Sequence, residues 1–353
     1  MKTKSTDLRT LWARKAHKEI KGNMRVFCRV RPVLDVNTTC TSFLFPEDDR
    51  CIEFQNKDSR HCFTYDRIFS PDASQDDIFV EASELVDSSL DGYKVSIFSY
   101  GQTGSGKTYT MMGREGTDHK GIDQRGLIPR SLEQIFNAKK SKESDGWKYS
   151  IQVSIFEIYK EKIRDLLAPN SSKKLLIKHD FCGNVNVPGL TIVDVFTTTD
   201  VITLLEKASR FRSVARTLMN EESSRSHFVL TLQIRSEHAD EQHQGVLSLI
   251  DLAGSGSIEK SGVTDDRFSE AKDINKSLTY LKYVIRELSN GAGHVPFRNS
   301  TLTKLLQPCF IGQAKVLMIV NVSPEEASTK ETLRSLRFAS EVNNCIIASK
   351  RRP

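Results

Sequence analysis

Strand-like runs alternate with amphipathic helical runs along all 353 residues. This alternation predicts one α/β domain, with a central mixed, mostly parallel sheet and helices on both faces. Two further observations support it. Residues 245–250 and 315–322 are nearly continuously apolar, as strands covered on both faces are. No linker-like stretch divides the chain.

The elements follow in order. Residues 1–22 carry Leu8, Leu11, Trp12 and Ile20 among many charges on an approximately helical spacing, which Gly22-Asn23 breaks. This is an exposed terminal helix or the end of a coiled-coil stalk. Strands are predicted over 24–30, 94–100, 149–158, 228–236, 245–250 and 315–322. The fourth alternates Phe228, Leu230, Leu232 and Ile234 with Thr231, Gln233 and Arg235, the pattern of a half-exposed strand. Helices are predicted over 78–90, 128–138, 198–209 and 268–288, and loops over 114–125, 141–146, 169–174 and 290–294.

Composition narrows the function classes. Hydrophobic residues make up 38% and charged residues 27%, the balance of a soluble globular protein. No apolar run is long enough to span a membrane, and the polar first ten residues are no secretory signal. A net charge of +6 admits an acidic partner without demanding one. The seven cysteines are scattered and contain no C-x-x-C, which points away from a disulfide framework or zinc site and toward a reducing compartment.

The strongest motif is Gly101-Gln102-Thr103-Gly104-Ser105-Gly106-Lys107-Thr108. It matches the phosphate-binding G-x-x-x-x-G-K-[ST] pattern and follows a predicted strand, as that pattern requires. Its glycines let successive backbone N–H groups face phosphate oxygens, and the helix that follows adds positive partial charge. Lys107 is placed to reach the β- and γ-phosphates, and the Thr108 hydroxyl to ligate Mg²⁺. Asp251-Leu252-Ala253-Gly254 ends another apolar strand, where a P-loop enzyme keeps its Mg²⁺-organising carboxylate. The Gly254 N–H can then sense a γ-phosphate. A third segment, 220–227 (NEESSRSH), is dense in hydroxyls with one arginine. On composition alone it reads as a solvated loop.

Together these segments resemble a kinesin motor domain. Further matches are Arg29-Val30-Arg31-Pro32, Glu157-Ile158-Tyr159, Ile274-Asn275-Lys276-Ser277-Leu278, 294–300 (HVPFRNS) and Ser335-Leu336-Arg337-Phe338-Ala339, which extend the resemblance over about 23–345. Residues 20–32, 88–94 and 126–132 are most similar to the C-terminal-motor, plant-type class. The resemblance implies a P-loop NTPase of the kinesin fold that uses ATP/ADP and Mg²⁺ and binds microtubules, with minus-end direction. It further implies a neck helix or stalk end at 1–22 that forms a homodimer, a motor domain at 23–345, a basic tail at 346–353, and a place on cytoplasmic or spindle microtubules. Lys350–Arg352 is too short a basic cluster to decide nuclear entry. Neither nucleic acid nor membrane is expected as a partner.

By the same resemblance, Arg29, Arg31 and Pro32 form one wall of the adenine pocket and Tyr109 stacks on the other. Ser224, Thr108 and, through water, Asp251 hold Mg²⁺. Ser223 and Asn220 lie near the γ-phosphate and its attacking water, and Arg225 belongs to the closing switch loop. One departure bears on activity. The family has Glu two residues after Gly254 to pair with the switch arginine, and this chain has Gly256. Arg225 is thus expected to lack its usual partner, which leaves two readings: an active motor, or a nucleotide-binding microtubule tether with weak ATPase. Smaller departures are Lys160 where Asn is usual, Lys282 where Gly is common, and Thr301 where a Lys is usual.

On the 268–288 helix, Phe268, Ala271, Ile274, Leu278, Leu281, Ile285 and Leu288 make one apolar stripe. Lys272, Lys276, Thr279, Tyr283 and Arg286 fall opposite. Alone, that face reads as a solvated surface. The resemblance makes Lys272, Lys276 and Arg286, with Arg298 and Lys304, candidate microtubule contacts.

Overall fold

The computed structural model describes residues 24–345 apart from 35–37, 41, 47, 57–58, 118–120, 172, 180–184, 220–224, 257–264 and 311–313. For 42, 56, 115, 117, 213–219 and 265–275 it describes the backbone only. The expected 1–22 helix and 346–353 tail lie outside the described residues.

In chain order the strands are β1 (Met24–Val30), β2 (Ser42–Leu44), β3 (Cys51–Asn56), β4 (Ser59–Thr64), β5 (Arg67–Phe69), β6 (Lys94–Tyr100), β7 (Gly113–Thr117), β8 (Asp123–Arg125), β9 (Lys148–Tyr159), β10 (Lys162–Asp165), β11 (Lys178–His179), β12 (Val185–Asn186), β13 (Val193–Val195), β14 (His227–His238), β15 (Glu241–Asp251) and β16 (Lys315–Val322). The helices are α1 (Gln75–Leu90), α2 (Lys107–Met111), α3 (Leu127–Ser144), α4 (Thr198–Met219), α5 (Asp265–Ser289), α6 (Thr301–Phe310) and α7 (Thr329–Asn343).

The main sheet runs β10-β9-β14-β15-β6-β16-β1-β5, with β13 also pairing with β9. Strand β6 is parallel to both its neighbours, and β1 to both of its own. The antiparallel pairs, centred on the long β14–β15 hairpin, gather at the other side. The mixed α/β sheet predicted from the alternation is thus present.

Strand alternation sorts the core into two layers. In β16, Val316, Met318, Val320 and Val322 join Leu278, Leu281, Leu302 and Leu336 from α5, α6 and α7. Leu317 and Ile319 join Ile78, Ile128, Leu132 and Val201 from α1, α3 and α4. Both faces of β16 are therefore covered, which is why it reads as continuously apolar. Helix α1 begins at a reciprocal cap: Ser74 Oγ accepts from the Asp77 N–H at 3.1 Å, and Asp77 Oδ2 accepts from the Ser74 N–H at 2.8 Å. Lys282 is explained by packing, since its ammonium lies 5.6 Å from the Phe338 ring centre and so joins α5 to α7.

Two loop expectations are corrected. Residues 114–125 contain the β7–β8 hairpin, closed by the Gly113–Arg125 pairing. Residues 141–144 are the last turn of α3, because a Lys-rich polar turn still satisfies its backbone within the helix. The satellite sheet β2-β3-β4 is a second element that the periodicity did not predict.

The turn between β9 and β10 puts Lys160 at φ 48° and Glu161 at φ 60°, both left-handed. Asn tolerates that geometry better than Lys. Lys160→Asn is therefore expected to stabilise the chain by about 0.5–1 kcal/mol, read by denaturant unfolding.

Candidate functional site

The carboxyl ends of β6, β15, β1 and β16 meet on one edge of the main sheet, and the site is built there. Strand β6 ends at Tyr100 and the chain turns through 101–106 into α2. That turn requires glycine at its first position. Gly101 has φ 146°, and a Cβ there would stand 2.2 Å from the Asn321 carbonyl oxygen. Inside the turn, the Gln102 carbonyl accepts from the Ser105 Oγ at 2.8 Å and from the Lys107 Nζ at 2.9 Å. Gln102, Ser105 and Lys107 are buried, while Thr103 and Gly104 are exposed and Gly106 partly so.

Asp251, at the end of β15, receives the Ser99 hydroxyl at 2.9 Å and the Thr108 hydroxyl at 2.6 Å. Burial pushes the Lys107 ammonium down to about 8, and Asp251 opposes that shift. An anionic phosphate beside Lys107 acts in the same direction as Asp251. The donor set fits a Mg²⁺–polyphosphate: a hydroxyl and carboxylate in contact supply hard oxygen ligands, and an ammonium and a turn of N–H groups meet the phosphate charge.

The Asp251–Gly254 segment lies directly on the 101–106 turn. The Ser255 N–H donates to the Gly101 carbonyl at 3.0 Å. A Cβ on Gly254 would meet the Thr103 Oγ1 at 2.1 Å, so this position excludes any side chain. Gly256 differs, since among the described residues nothing lies within 4 Å of a Cβ built there.

Beside this centre, the Tyr109 ring has two guanidinium groups near it, Arg29 at 5.1 Å and Arg114 at 6.0 Å from its ring centre. Arg29 is only 6% exposed, and donates to Gln75 Oε1 and Thr110 Oγ1, each at 2.9 Å. These bonds hold its guanidinium within the fold beside Tyr109. Burial pushes its guanidinium down to about 10. Arg31 is held by an ion pair with Glu325 and by the Pro32 carbonyl, and Pro32 itself is exposed.

The chain matches a family model described as the kinesin motor domain over residues 29–345. It belongs to the kinesin motor domain family. It is 53% identical to Kinesin-like protein KIN-14M of Arabidopsis thaliana, covering 94% of this chain and 46% of that protein. It is 44% identical to Carboxy-terminal kinesin 2 of Xenopus laevis, covering 94% and 54%. The chain thus spans about half the length of the curated relatives it matches. Among solved structures it is similar to the C-terminal motor and motor homology domain of Kar3Vik1, with a TM-score of 0.81 at 38% identity over 97% of this chain and 90% of that one. It is also similar to a structure described as a fast kinesin, with a TM-score of 0.84 at 37% identity over 93% of each.

In this kinesin motor domain, Asn220, Ser223 and Ser224 lie outside the described residues. Arg225 is partly buried and makes its own interactions within the fold. On α5, Leu278, Leu281 and Ile285 are buried and Leu288 packs against the core, as the stripe predicts. Lys276, Thr279, Tyr283 and Arg286 are exposed on the other side. Arg298 is exposed and Lys304 half-buried, whereas the side chains of Phe268, Ala271, Lys272 and Ile274 lie outside the described residues.

Sequence reading quoted His227 within a motif but gave it no role. It is 2% exposed, and its ring joins three elements. Nδ1 accepts from the Ala253 N–H at 3.0 Å, and Nε2 lies 2.8 Å from the Ser277 Oγ on α5. With Nδ1 accepting, the neutral ring carries its proton on Nε2 and donates to Ser277. On the other face of the sheet, buried Glu157 lies opposite Phe228, flanked by Arg212 at 3.5 Å and Arg164 at 3.4 Å. Arg212 also donates to the Ser226 Oγ at 3.2 Å, which fixes the start of β14.

Burial, then the Lys107 charge, pushes His227 down to about 3. The unfolded chain therefore binds a proton near pH 6.5 that the folded chain refuses. The stability carried by neutral His227 is complete above that pH and is lost as pH falls toward 3. Denaturant unfolding at pH 7 and pH 5 is expected to show His227→Asn losing less stability than the parent over that interval, by about 2 kcal/mol at most.

Proposed function

We propose that this kinesin motor domain is an ATP-hydrolysing, microtubule-stimulated motor of the C-terminal, minus-end-directed class. The observation that carries the reading is a continuous route from phosphate site to helix face. Asp251 and Thr108 are in contact at one end, Ala253 binds His227, and His227 binds Ser277. Ser277 is next to exposed Lys276 on α5. The class follows from likeness to KIN-14M and Carboxy-terminal kinesin 2.

Phosphoryl transfer needs positioning and charge stabilisation more than covalent help. Lys107 and the 101–106 N–H groups hold the phosphates, and Tyr109 offers a ring to the base. Thr108, Ser224 and Asp251 hold Mg²⁺, which supplies charge neutralisation across the phosphates when bound. Asn220 and Ser223 orient the attacking water. The Gly254 N–H follows the γ-phosphate, and because it rests on Thr103, movement of one shifts the other. Lys272, Lys276, Arg286, Arg298 and Lys304 face the acidic filament. A stalk preceding the chain makes the homodimer, and the working place is the cytoplasmic and spindle microtubule array.

Gly256 favours a second reading, a nucleotide-binding tether with weak turnover. The position has room for a side chain yet offers no carboxylate. Losing a positioned acid–base group costs about 10²–10⁴-fold in rate.

Steady-state ATPase with and without microtubules, beside direct ATP binding, separates the two. Strong stimulation is the outcome expected of a motor. Bound nucleotide and filament affinity without stimulated turnover would leave the tether. Gly256→Glu is expected to fold, and to raise turnover by at least tenfold only if the tether reading holds. Replacing both Lys276 and Arg286 with Ala is expected to weaken microtubule affinity about three- to tenfold in low salt, and less in high salt, by co-sedimentation.

A further inference from the structure

The β3–β4 hairpin places two cysteines together that the sequence keeps eleven positions apart. In the hairpin register Cys51 lies opposite Thr64 and Cys62 opposite Glu53, so the two cysteines are diagonal neighbours on one face. Their sulfur atoms are 3.1 Å apart. The other face of the hairpin is the packed one, with Ile52 and Phe54 fully buried. Cys62 is exposed and Cys51 half-buried, so solvent reaches the pair. Among the described cysteines, Cys28, Cys309 and Cys345 are buried, and exposed Cys40 is bonded to the Thr38 carbonyl instead.

We propose that Cys51 and Cys62 form an oxidisable dithiol, converted by hydrogen peroxide into a reversible disulfide across the hairpin. A disulfide needs its sulfurs about 2.05 Å apart, so closure draws the two sulfurs about 1 Å nearer than their present contact. Cys51 shares its proton with the Cys62 sulfur, and this, with burial, pushes its thiol up to about 11. Cys62, the more exposed of the two, therefore reacts first. Its sulfur takes one oxygen from peroxide, giving a sulfenic acid and one water. The Cys51 sulfur then attacks that sulfenic sulfur, and the hydroxyl leaves as a second water with the Cys51 proton. The two thiols together lose two electrons and the peroxide gains them.

The bond would lock a strand that continues directly into contacts with α7. The Thr64 carbonyl accepts from the Asn343 Nδ2 at 3.1 Å, and the Tyr65 hydroxyl donates to the Leu336 carbonyl at 2.7 Å. Oxidation thus reaches the helix that backs the main sheet.

The test uses the whole chain, reduced, desalted, treated with hydrogen peroxide, alkylated and digested with trypsin. Cleavage after Arg50, Lys57, Arg60 and Arg67 separates the cysteines. The expected result is peptide 51–57 joined to peptide 61–67, released by dithiothreitol, and absent from Cys51→Ser and Cys62→Ser. In the unaltered chain this linkage should be several-fold more abundant after oxidation of folded protein than of protein oxidised in denaturant. Equal yields in both, a Cys40 linkage in its place, disulfides between chains only, or Cys62 oxidised onward while Cys51 stays alkylatable would each overturn the proposal.

Discussion

A buried ammonium and a buried carboxylate stand at the carboxyl ends of adjacent core strands, and the arrangement of this molecule turns on keeping both there. Lys107 follows β6 and Asp251 ends β15, and each is almost wholly removed from solvent. Isolated, either charge would be costly in the interior. Lys107 donates to the Gln102 carbonyl, and Asp251 accepts hydroxyls from Ser99 and Thr108. Those bonds need β6, β15 and the 101–106 turn in one fixed register. Parallel pairing of β6 with β15 and β16 supplies it, and the two apolar layers hold the sheet between helices. The part of the fold that is most hydrophobic thereby carries the part that is most polar.

The same economy explains how a charge change at that edge can be felt elsewhere. Gly254 lies close against Thr103, and its neighbour Ala253 donates its N–H to His227. A neutral imidazole is a rigid two-ended connector: one nitrogen accepts and the other donates. Protonation would turn the accepting end into a donor facing another N–H. Burial suppresses that state, which keeps the connector in one form at ordinary pH. Helix α5 is bound at Ser277 by this ring and at Leu278, Leu281 and Ile285 by the core, so a shift of the ring acts on a helix already seated along one side.

Much of this was legible from sequence, for identifiable reasons. The strands 24–30, 94–100 and 315–322 were bounded correctly, since each is buried on both faces and ends at a turn. The phosphate turn was legible because its glycines and Lys107 sit at fixed spacing. What periodicity missed depends on partners distant in the chain. The His227 bonds reach Ala253 and Ser277, and neither leaves a pattern near position 227. The β3–β4 hairpin hides a covered face, Ile52 and Phe54, between polar residues that face away from the core. The Cys51–Cys62 contact exists only once that register is set. Lys282 looked like a misplaced charge until α7 was placed beside it, with Phe338 under the ammonium.

Gly254 and Gly256 sit in one short turn, and sterics treat them oppositely. At 254 the Thr103 hydroxyl fills the space of any Cβ, so packing alone requires glycine. At 256 the space is open and the backbone carries no left-handed φ, so neither packing nor strain requires it. A carboxylate there would cost the fold little and would add a negative charge close to the phosphate turn, where the Ser255 N–H already binds the Gly101 carbonyl. Its absence changes the chemistry available to the loop that carries Arg225 without changing how the surrounding residues pack. Position 256 therefore bears on charge placement beside the phosphate turn rather than on the packing of the fold.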